Sequence, residues 1–416
     1  MVIGLTEHRA QPREIGTGWL MAKNFVRWMT RTGFAGWGWL LCLVLTRSAG
    51  AAGESGGSAA FFAAGKVARI EITLAPEALP VLRRDPHEYV RGTLREGGAV
   101  FKEVGIHLKG GLGTFQSVDE KPSFTLNFDK FSKQQKFHGL DKVHLNNAAE
   151  DDSLLMEYLA ADLFRAAGVP CPRVAHARVT FNGRDLGMYV FKEGFDGTFL
   201  KRHFQSSDGG FYDPGLSHDI HELKAKASRS GAKTTGDLKA LWDAAHDKDF
   251  SARFQRIGET LDVDRFVTFI VMEALVGHDD GYMINRNNYR VYFDTDAKRF
   301  VFMPTGMDQV FAEECPFYPN GIGVLAKALV DTPEGKRRYE ARFIELFKKV
   351  WSVAEMEKTI ERVQRQIRLV LGPEETEAHT KAVDNLKAMI RTQTRRIEEQ
   401  VAIIQGRPAA PVTKKD

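Results

Sequence analysis

The sequence predicts an α+β protein with a sheet-rich first lobe and a helical second lobe. Apolar and polar residues alternate in several runs between residues 68 and 191, which is typical of half-buried strands. The dipeptide Asn182-Gly183 lies between two such runs and favours a tight β-hairpin. The segment from Val263 to Val276 is apolar and nearly continuous, as expected of a helix buried inside a lobe.

The strand predictions rest on patterns of period two, which are typical of antiparallel strands with one buried face. The runs are 68–74, 104–109, 123–128, 176–181 and 186–191. One helix is expected among them: Asp151 or Asp152 is a suitable N-cap, and Gly168 is a suitable end. Glu157 lies beside the apolar stripe of this helix. Together these elements define the first lobe, over residues 67–195.

Helical character grows after residue 196, and we assign the second lobe to 196–350. Its buried helix stops at Gly277, and two short strands follow, at 289–293 and 300–303. From Arg337 onwards the chain is charged and has helical periodicity. We therefore expect a C-terminal helical extension and tail over 351–416.

The first 51 residues have the pattern of a targeting segment. Three basic residues precede an apolar run at 33–46, and small residues follow it up to Ala51. The basic residues are Lys23, Arg27 and Arg31. We expect a signal peptide that is cleaved near Ala51, and therefore an exported protein with no stable membrane insertion. A membrane anchor is the alternative, but the run is shorter than the ~20 residues that span a bilayer.

Composition and charge predict a linker and give no reason to expect a nucleic-acid partner or a zinc site. Residues 52–66 are rich in Gly, Ala and Ser, which predicts a flexible linker. The 58 basic and 54 acidic residues give a net charge of +4 without a long run of either sign, so no nucleic-acid partner is expected. Once the signal is removed, Cys171 and Cys315 are left. They allow a single disulfide in an oxidising compartment, and they predict no zinc site.

The residues most informative about chemistry begin at His278. A histidine, an aspartate two positions later and an asparagine five positions after that aspartate occur as His278, Asp280 and Asn285. This is the spacing of the protein-kinase catalytic loop, H-x-D-x-x-x-x-N. Phosphoryl transfer needs a carboxylate to orient the acceptor hydroxyl and an amide oxygen to help hold a cation. We assign these roles to Asp280 and Asn285.

A second aspartate follows the two short strands. In kinases such a hairpin leads to the aspartate that binds the metal on the nucleotide phosphates, and here Asp308 holds that position. We predict that Asp280 and Asp308 converge, because a hairpin returns the chain to where it started. In the alternative interpretation, Asp280, Asn285 and the asparagines at 287 and 288 only satisfy turn backbones.

Candidate nucleotide-binding residues lie in the first lobe. Lys109 precedes a glycine-rich stretch at 110–113, whose backbone amides can approach phosphates, although a plain glycine-rich hairpin fits the pattern equally well. We predict that Lys121 places its ammonium on the α/β-phosphates and that Glu157 is its ion-pair partner. The alternative for Lys121 and Glu157 is a solvated or purely structural charge.

Six short motifs together resemble one known family. They are Lys121-Pro-Ser-Phe, Leu145-Asn-Asn, Gly168-Val-Pro-Cys-Pro-Arg, Asn182-Gly-Arg-Asp-Leu-Gly-Met-Tyr, Asp280-Gly-Tyr-Met-Ile-Asn-Arg-Asn-Asn-Tyr and Pro304-Thr-Gly-Met-Asp308. From about residue 67 to about residue 350 the chain resembles the CotH kinase family, whose members are atypical protein kinases that are secreted or associated with spore coats.

The resemblance implies an atypical protein-kinase-like two-lobed fold that binds ATP with Mg²⁺ or Mn²⁺. It also implies phosphorylation of Ser or Thr in an exported protein substrate, with the catalytic aspartate at Asp280 and the metal-binding aspartate at Asp308. Asp279 stands where many relatives have Trp, and a second carboxylate there either raises the pKa of Asp280 or adds a metal ligand. Two other functions stay open: a catalytically silent scaffold for surface or spore-coat assembly, and a metal-dependent hydrolase that activates water.

Overall fold

The structure is a computed structural model, and it describes residues 56–111, 113–223, 225–226 and 235–407. All of them belong to one compact unit, 51–416. The expected signal peptide and its cleavage point lie outside the described residues. Within these ranges, no helix combines the length and apolarity needed to cross a membrane.

Seven strands form a closed barrel in the order β1-β2-β3-β4-β5-β7-β6. The strands are β1 (Ala68–Leu74), β2 (Val90–Glu96), β3 (Ala99–Lys109), β4 (Ser123–Asn127), β5 (Lys142–Asn146), β6 (Val174–Phe181) and β7 (Arg184–Glu193). All five predicted runs lie in these strands, and Asn182-Gly183 forms the turn between β6 and β7 with positive φ at both residues. The predicted antiparallel pairing is confirmed for six of the seven neighbouring pairs of the barrel, whereas β1 pairs with β6 in parallel and so closes the barrel.

The interior of the barrel is filled by the inward-facing half of each strand. Along β1, every second residue is buried, including Ile70 and Ile72. Helix α1 (Gly56–Ala64) packs Phe61 and Phe62 against this core. The prediction of a flexible linker over 52–66 is therefore corrected, because an apolar helical face in the second half of that segment is used to cover the barrel.

In the described part of the chain, the fold contains eleven more α-helices, a short 3-10 helix (Ile220–Glu222) and a second, four-stranded sheet. The helices are α2 (Ala78–Arg84), α3 (Met156–Ala166), α4 (Gly197–His203), α5 (Thr235–Ala245), α6 (Phe250–Thr260), α7 (Val263–Val276), α8 (Tyr282–Asn285), α9 (Val324–Val330), α10 (Pro333–Lys349), α11 (Val353–Arg368) and α12 (Pro373–Ile404). The second sheet has the order β11-β10-β8-β9, from β8 (Phe211–Tyr212), β9 (Ala225–Lys226), β10 (Tyr289–Asp294) and β11 (Arg299–Pro304).

Helix α7 has the bounds that its apolar run predicted. The side chain of Asp262 caps it by accepting a hydrogen bond from the amide of Arg265 at 3.1 Å. The helix ends at Gly277, which has φ +61° and lies against the backbone of Ala312. Glycine is favoured there because a β-carbon would be strained in this conformation and crowded by that backbone.

The C-terminal helices belong to the same core as α3 and α7. Ile360 on α11 and Leu386, Ile390 and Ile397 on α12 are buried in the larger apolar cluster, to which α7 contributes most of its length. The α+β class is thus confirmed, with strands concentrated before residue 194 and helices after it. The finer division into two lobes stays a prediction, because residues 51–416 form one compact unit.

The two described cysteines do not form the disulfide that the sequence allowed. Cys171 and Cys315 are both free and buried. Burial raises the pKa of each thiol to about 12, so neither is a reactive thiolate at neutral pH.

Candidate functional site

The hairpin of β10 and β11 returns the chain to the loop that contains Asp280. Its first register pair joins Tyr289 to Pro304, and the amide of Thr305 donates to the carbonyl of Asn288 at 2.9 Å. The ring of His278 lies 3.2 Å, Nε2 to O, from the carbonyl of Gly306. The loop after α7 and the segment that leads to Asp308 are therefore bonded to each other directly.

The charges of Asp280 and Asp308 both act on the carboxylate of Glu150. Burial raises the pKa of Glu150, and the charges of Asp308 and Asp280 both raise it further. Together with the contacts of Thr305 and Gly306 described above, this indicates that the loop of Asp280 and the segment before Asp308 meet at one place, while the roles assigned to the two aspartates stay predictions.

Two asparagines hold the carboxylate of Asp280. Its Oδ2 accepts hydrogen bonds from Nδ2 of Asn287 at 2.9 Å and from Nδ2 of Asn288 at 2.6 Å. Burial raises the pKa of Asp280, and the neighbouring charge of Asp279 adds to this, as the sequence predicted. Both asparagines had been considered only as turn formers, yet they fix the orientation of the carboxylate.

Glu273 of α7 supports the same loop through hydrogen bonds to its backbone. This buried carboxyl accepts hydrogen bonds from the amides of Tyr282 at 2.9 Å and Met283 at 2.8 Å, which begin the short helix α8. Burial raises the pKa of Glu273 to about 8. The sequence analysis missed this residue, although an acid within the apolar stretch 266–276 of the helix was a usable signal, because a buried carboxyl needs hydrogen-bond partners.

Lys192 forms the buried ion pair that had been assigned to Lys121. Its Nζ bonds the Oε1 of Glu157, and both side chains are at most 5% exposed. Nδ2 of Asn146 donates to the other oxygen of Glu157 at 3.0 Å. Lys192 also donates to Oγ1 of Thr305 at 3.2 Å, so the pair contacts the segment that leads to Asp308.

The predicted pair between Lys121 and Glu157 is wrong for a reason of strand geometry. Side chains alternate along β7: Tyr189 and Phe191 enter the barrel core, whereas Val190 packs outside it against the larger cluster. Lys192 continues the outer face and so meets Glu157 on α3. Lys121 instead lies in the loop before β4, with Nζ 5.3 Å from the centroid of the Tyr189 ring.

Lys109 is the second lysine at this place, and its role in nucleotide binding stays a prediction. Its Nζ donates to Oδ1 of Asn146, the residue that also bonds Glu157. Burial lowers the pKa of Lys109 to about 8, with a further decrease from Lys192, while Glu157 and Asp308 oppose the shift. The two lysines are thus close enough to repel each other, which indicates a surface that a ligand with negative charge would stabilise.

The outer barrel face beside the lysines carries further polar groups. Nδ1 of His144 lies 3.0 Å from Oγ1 of Thr125, and burial together with Lys109 lowers the pKa of His144 well below its usual value. From β10, Arg290 adds positive charge that lowers the pKa of both His144 and Lys109. Its guanidinium is 3.2 Å from a carboxylate oxygen of Asp213. These groups place a neutral imidazole and the paired guanidinium of Arg290 near the two lysines.

The described glycines of the glycine-rich stretch, at 110, 111 and 113, directly follow β3. Gly110 and Gly113 both have positive φ, 134° and 86°, and Gly113 packs against the carboxylate of Glu150. The charges of Asp280 and Asp308 in turn raise the pKa of Glu150. The backbone of the stretch continues from Lys109.

The two predicted metal ligands are Asp308 and Asn285, and no hydrogen bond between described residues joins them. Asp308 is half-buried, and burial and Glu157 raise its pKa. Asn285 ends α8, and its Nδ2 donates to the carbonyl of Asp279 at 2.9 Å. Over the described parts of the chain, no three His, Cys, Asp or Glu side chains group closely enough to hold a metal. Mg²⁺ usually takes one or two carboxylates together with substrate phosphates, which this donor set permits.

A buried lysine–glutamate pair beside two converging aspartates, one of them after a hairpin, defines a kinase-like protein. The chain belongs to the CotH kinase family: the family profile described as "CotH kinase protein" matches residues 106–406. The match includes α11 and α12, so these helices are part of the family domain.

Two relatives illustrate the similarity. Inner spore coat protein H of Bacillus subtilis (strain 168) is 22% identical over 259 residues, which are 57% of this chain and 71% of the relative. Invasin CotH2 of Rhizopus delemar is 22% identical over 304 residues, 62% of this chain and 49% of the relative. The chain thus spans about half the length of the Rhizopus protein.

Similar solved structures include two bacterial proteins. The Helicobacter pylori proinflammatory kinase CtkA has 11% identity and a TM-score of 0.29, with coverage of 67% of this chain and 94% of that one. Shewanella oneidensis HipA, in its complex with HipB and operator DNA, has 13% identity and a TM-score of 0.27, with coverage of 80% and 74%. These TM-scores are too low to support any residue correspondence.

Proposed function

We propose that this protein transfers the γ-phosphate of ATP to Ser or Thr hydroxyls of exported proteins, with Mg²⁺ or Mn²⁺. The observation that carries the proposal is the buried pair of Lys192 and Glu157, which is bonded to the segment before Asp308. Such a pair fixes an ammonium where nucleotide phosphates bind in kinases. Membership of the CotH kinase family supports the same reaction.

Asp280 is the group that receives or orients the acceptor hydroxyl. Asn287 and Asn288 bond Oδ2, so Oδ1 has no donor among the described residues and is available to the acceptor. A raised pKa makes the carboxylate a better proton acceptor at neutral pH. The hydroxyl proton moves to this oxygen as the hydroxyl attacks the γ-phosphate, and ADP leaves on the opposite side.

Lys192 and Lys109 contact the phosphates, and Asp308 with Asn285 holds the divalent cation. The cation, when bound, neutralises charge on the transferred group. Glu157 keeps Lys192 in place and contacts no substrate in this proposal. We no longer assign phosphate binding to Lys121, because its ammonium lies over the ring of Tyr189.

The proposal that the protein and its substrate are exported rests on the N-terminal segment and on the names of two relatives. The basic flank, apolar run and small residues of the first 51 residues favour export, and relatives are named as a spore coat protein and an invasin. The name of the Bacillus relative also favours a second candidate function, a spore-coat or surface scaffold that retains the fold without turnover.

The proposal is tested by incubating the purified protein with γ-labelled ATP and Mn²⁺. We expect label on protein Ser or Thr, in the protein itself or in an added exported protein. Asp308→Asn should weaken binding of the Mn²⁺–nucleotide complex by about 10²-fold, because it removes the charge that holds the cation. Release of labelled phosphate without labelled protein would favour a hydrolase, and nucleotide binding without either product would favour the scaffold.

The affinity for ATP is expected to fall as the pH rises through about 8. Burial and Lys192 lower the pKa of Lys109 to about 8, so the free protein loses this charge there, whereas bound phosphate favours the protonated lysine. Binding therefore takes up a proton, and the affinity is highest below this pH. Calorimetric titration across the range measures it. Lys109→Arg stays charged and should bind independently of pH, and a pH-independent wild type would contradict the prediction.

A further inference from the structure

Helix α12 contacts the end of α7 through a buried amide. Gln393 is 1% exposed, and its Nε2 donates to the carbonyls of Ala274 at 3.2 Å and Leu275 at 3.0 Å. Carbonyls in the last turn of a helix lack amide partners further along the helix. Gln393 therefore supplies donors at the point where α7 passes into the loop of Asp280.

Arg396, one turn later on α12, contacts the segment that follows Asp308. Its Nη1 donates to Oε1 of Gln393 at 2.7 Å and to the carbonyl of Ala312 at 3.3 Å. Its Nη2 donates to the carbonyl of Cys315 at 2.8 Å. The guanidinium also stacks over Phe317, with its carbon 4.8 Å from the ring centroid. A planar fork with several fixed donors suits this bridging position.

The two segments that α12 holds are also bonded to each other. The amide of Phe311 donates to the carbonyl of Val276 at 2.6 Å, and the amide of Ala312 donates to the carbonyl of Gly277 at 3.3 Å. Asp280 lies three residues after Gly277, and Asp308 lies three residues before Phe311. We call these contacts between residues 276–277 and residues 311–312 the junction. The junction is therefore close in sequence to both carboxylates.

We propose that Gln393 and Arg396 are positioning residues for phosphoryl transfer, and this inference rests on the proposed function. By tying the end of α7 to residues 312–315, they fix the separation of Asp280 from Asp308. Neither side chain contacts Asp280 or Asp308. Their effect should appear in the rate of transfer more than in nucleotide affinity, because the metal and phosphate ligands are unchanged.

The test compares two substitutions at adjacent positions of α12. Gln393→Leu removes both donors to α7 and keeps a similar volume. Thr394→Val is the matched control, because Oγ1 of Thr394 accepts a hydrogen bond from Nε1 of Trp351 at 2.9 Å and donates to the carbonyl of Ile390 at 2.7 Å, and neither partner belongs to the two segments. We expect Gln393→Leu to lower kcat about 10-fold or more with less than about 2-fold change in nucleotide affinity, since small misplacements of reacting groups have large effects.

Thr394→Val should lower the thermal midpoint of unfolding to a similar extent and keep kcat within about 2-fold of wild type. Equal losses of kcat in the two variants would overturn the proposal, because they would mean that general destabilisation is responsible. If Gln393→Leu does not fold, Arg396→Lys replaces it, since lysine keeps the charge but cannot make the same fork of hydrogen bonds.

Hydrogen exchange separates failure of this inference from failure of the proposed function. If wild-type protein transfers no phosphate, the proposed function fails, and amide exchange then decides on the junction alone. Faster exchange at 277–281 and 311–315 in Gln393→Leu than in Thr394→Val supports the junction. Unchanged exchange overturns it, and so does faster exchange without any loss of kcat in an active protein.

Discussion

Asp280→Asn is expected to abolish phosphoryl transfer, by about 10³-fold or more, while nucleotide binding stays nearly intact. The amide has the shape of the carboxylate, and its oxygen can still accept hydrogen bonds from Asn287 and Asn288, so the loop should keep its geometry. What it lacks is the basicity to accept the hydroxyl proton. Titration of ATP with Mn²⁺, run beside initial rates of labelling, measures the two effects separately.

Asp279→Asn is the matched control for this substitution. The Asp279 side chain is exposed, and its charge contributes to the raised pKa of Asp280. Removing that charge lowers the pKa of Asp280, so Asp280 stays ionised to lower pH and the acid limb of the rate profile should move to lower pH. The maximal rate should change by less than about 3-fold. Wild-type transfer by Asp280→Asn would favour the interpretation that the Asp and Asn residues of this loop serve only its turns.

Lys192→Met should reduce both nucleotide affinity and transfer, by about 10²-fold, whereas Lys121→Met should leave both within about 3-fold of wild type. Lys192 is fixed by Glu157 beside Asp308, and Lys121 is held over the ring of Tyr189. The same assays as for Asp280 apply. A greater loss in Lys121→Met would return the phosphate-binding role to that residue.

Stability must be measured for the same pair of variants. Removing one partner of a buried ion pair costs about 3–5 kcal/mol, because the other charge stays buried. Denaturant unfolding should therefore place Lys192→Met well below Lys121→Met in free energy of unfolding. Lys192→Arg keeps the charge and much of the stability, so a loss of affinity in that variant would arise from the geometry of the ammonium and not from unfolding.

The parts of the fold that the sequence predicted are those set by neighbouring residues. The bounds of β1 and α7 follow from periodicity, and the β6–β7 hairpin follows from the chemistry of Asn182 and Gly183. The closure of the barrel by β1 and β6 did not follow, because it joins strands that are about a hundred residues apart. Local pattern contains no information about such a pairing. The helix over 56–64 was obscured by a composition that is also typical of linkers.

The candidate site likewise contains some residues that local sequence pattern predicted and others that it did not. Asp280 and Asp308 were found because a loop, a hairpin and an aspartate follow one another along the chain. The partner of Glu157 was missed because Lys192 meets α3 only through the alternation of β7 against a distant helix. Glu273 was missed although its place among apolar residues was a signal, and its partners could not be predicted because the amides of Tyr282 and Met283 meet α7 only in the folded chain.

The parallel pair of β1 and β6 also limits how other proteins can attach. Closing a sheet into a barrel removes its free strand edges. A free edge presents unpaired backbone groups that can pair with a strand of another molecule. Of the two described sheets, only the four-stranded one has edge strands, β11 and β9, and β11 is partly covered there by a bridge between Phe300 and Leu261. A partner or an extended substrate segment therefore cannot add a strand to the barrel, and it has to bind there through side chains.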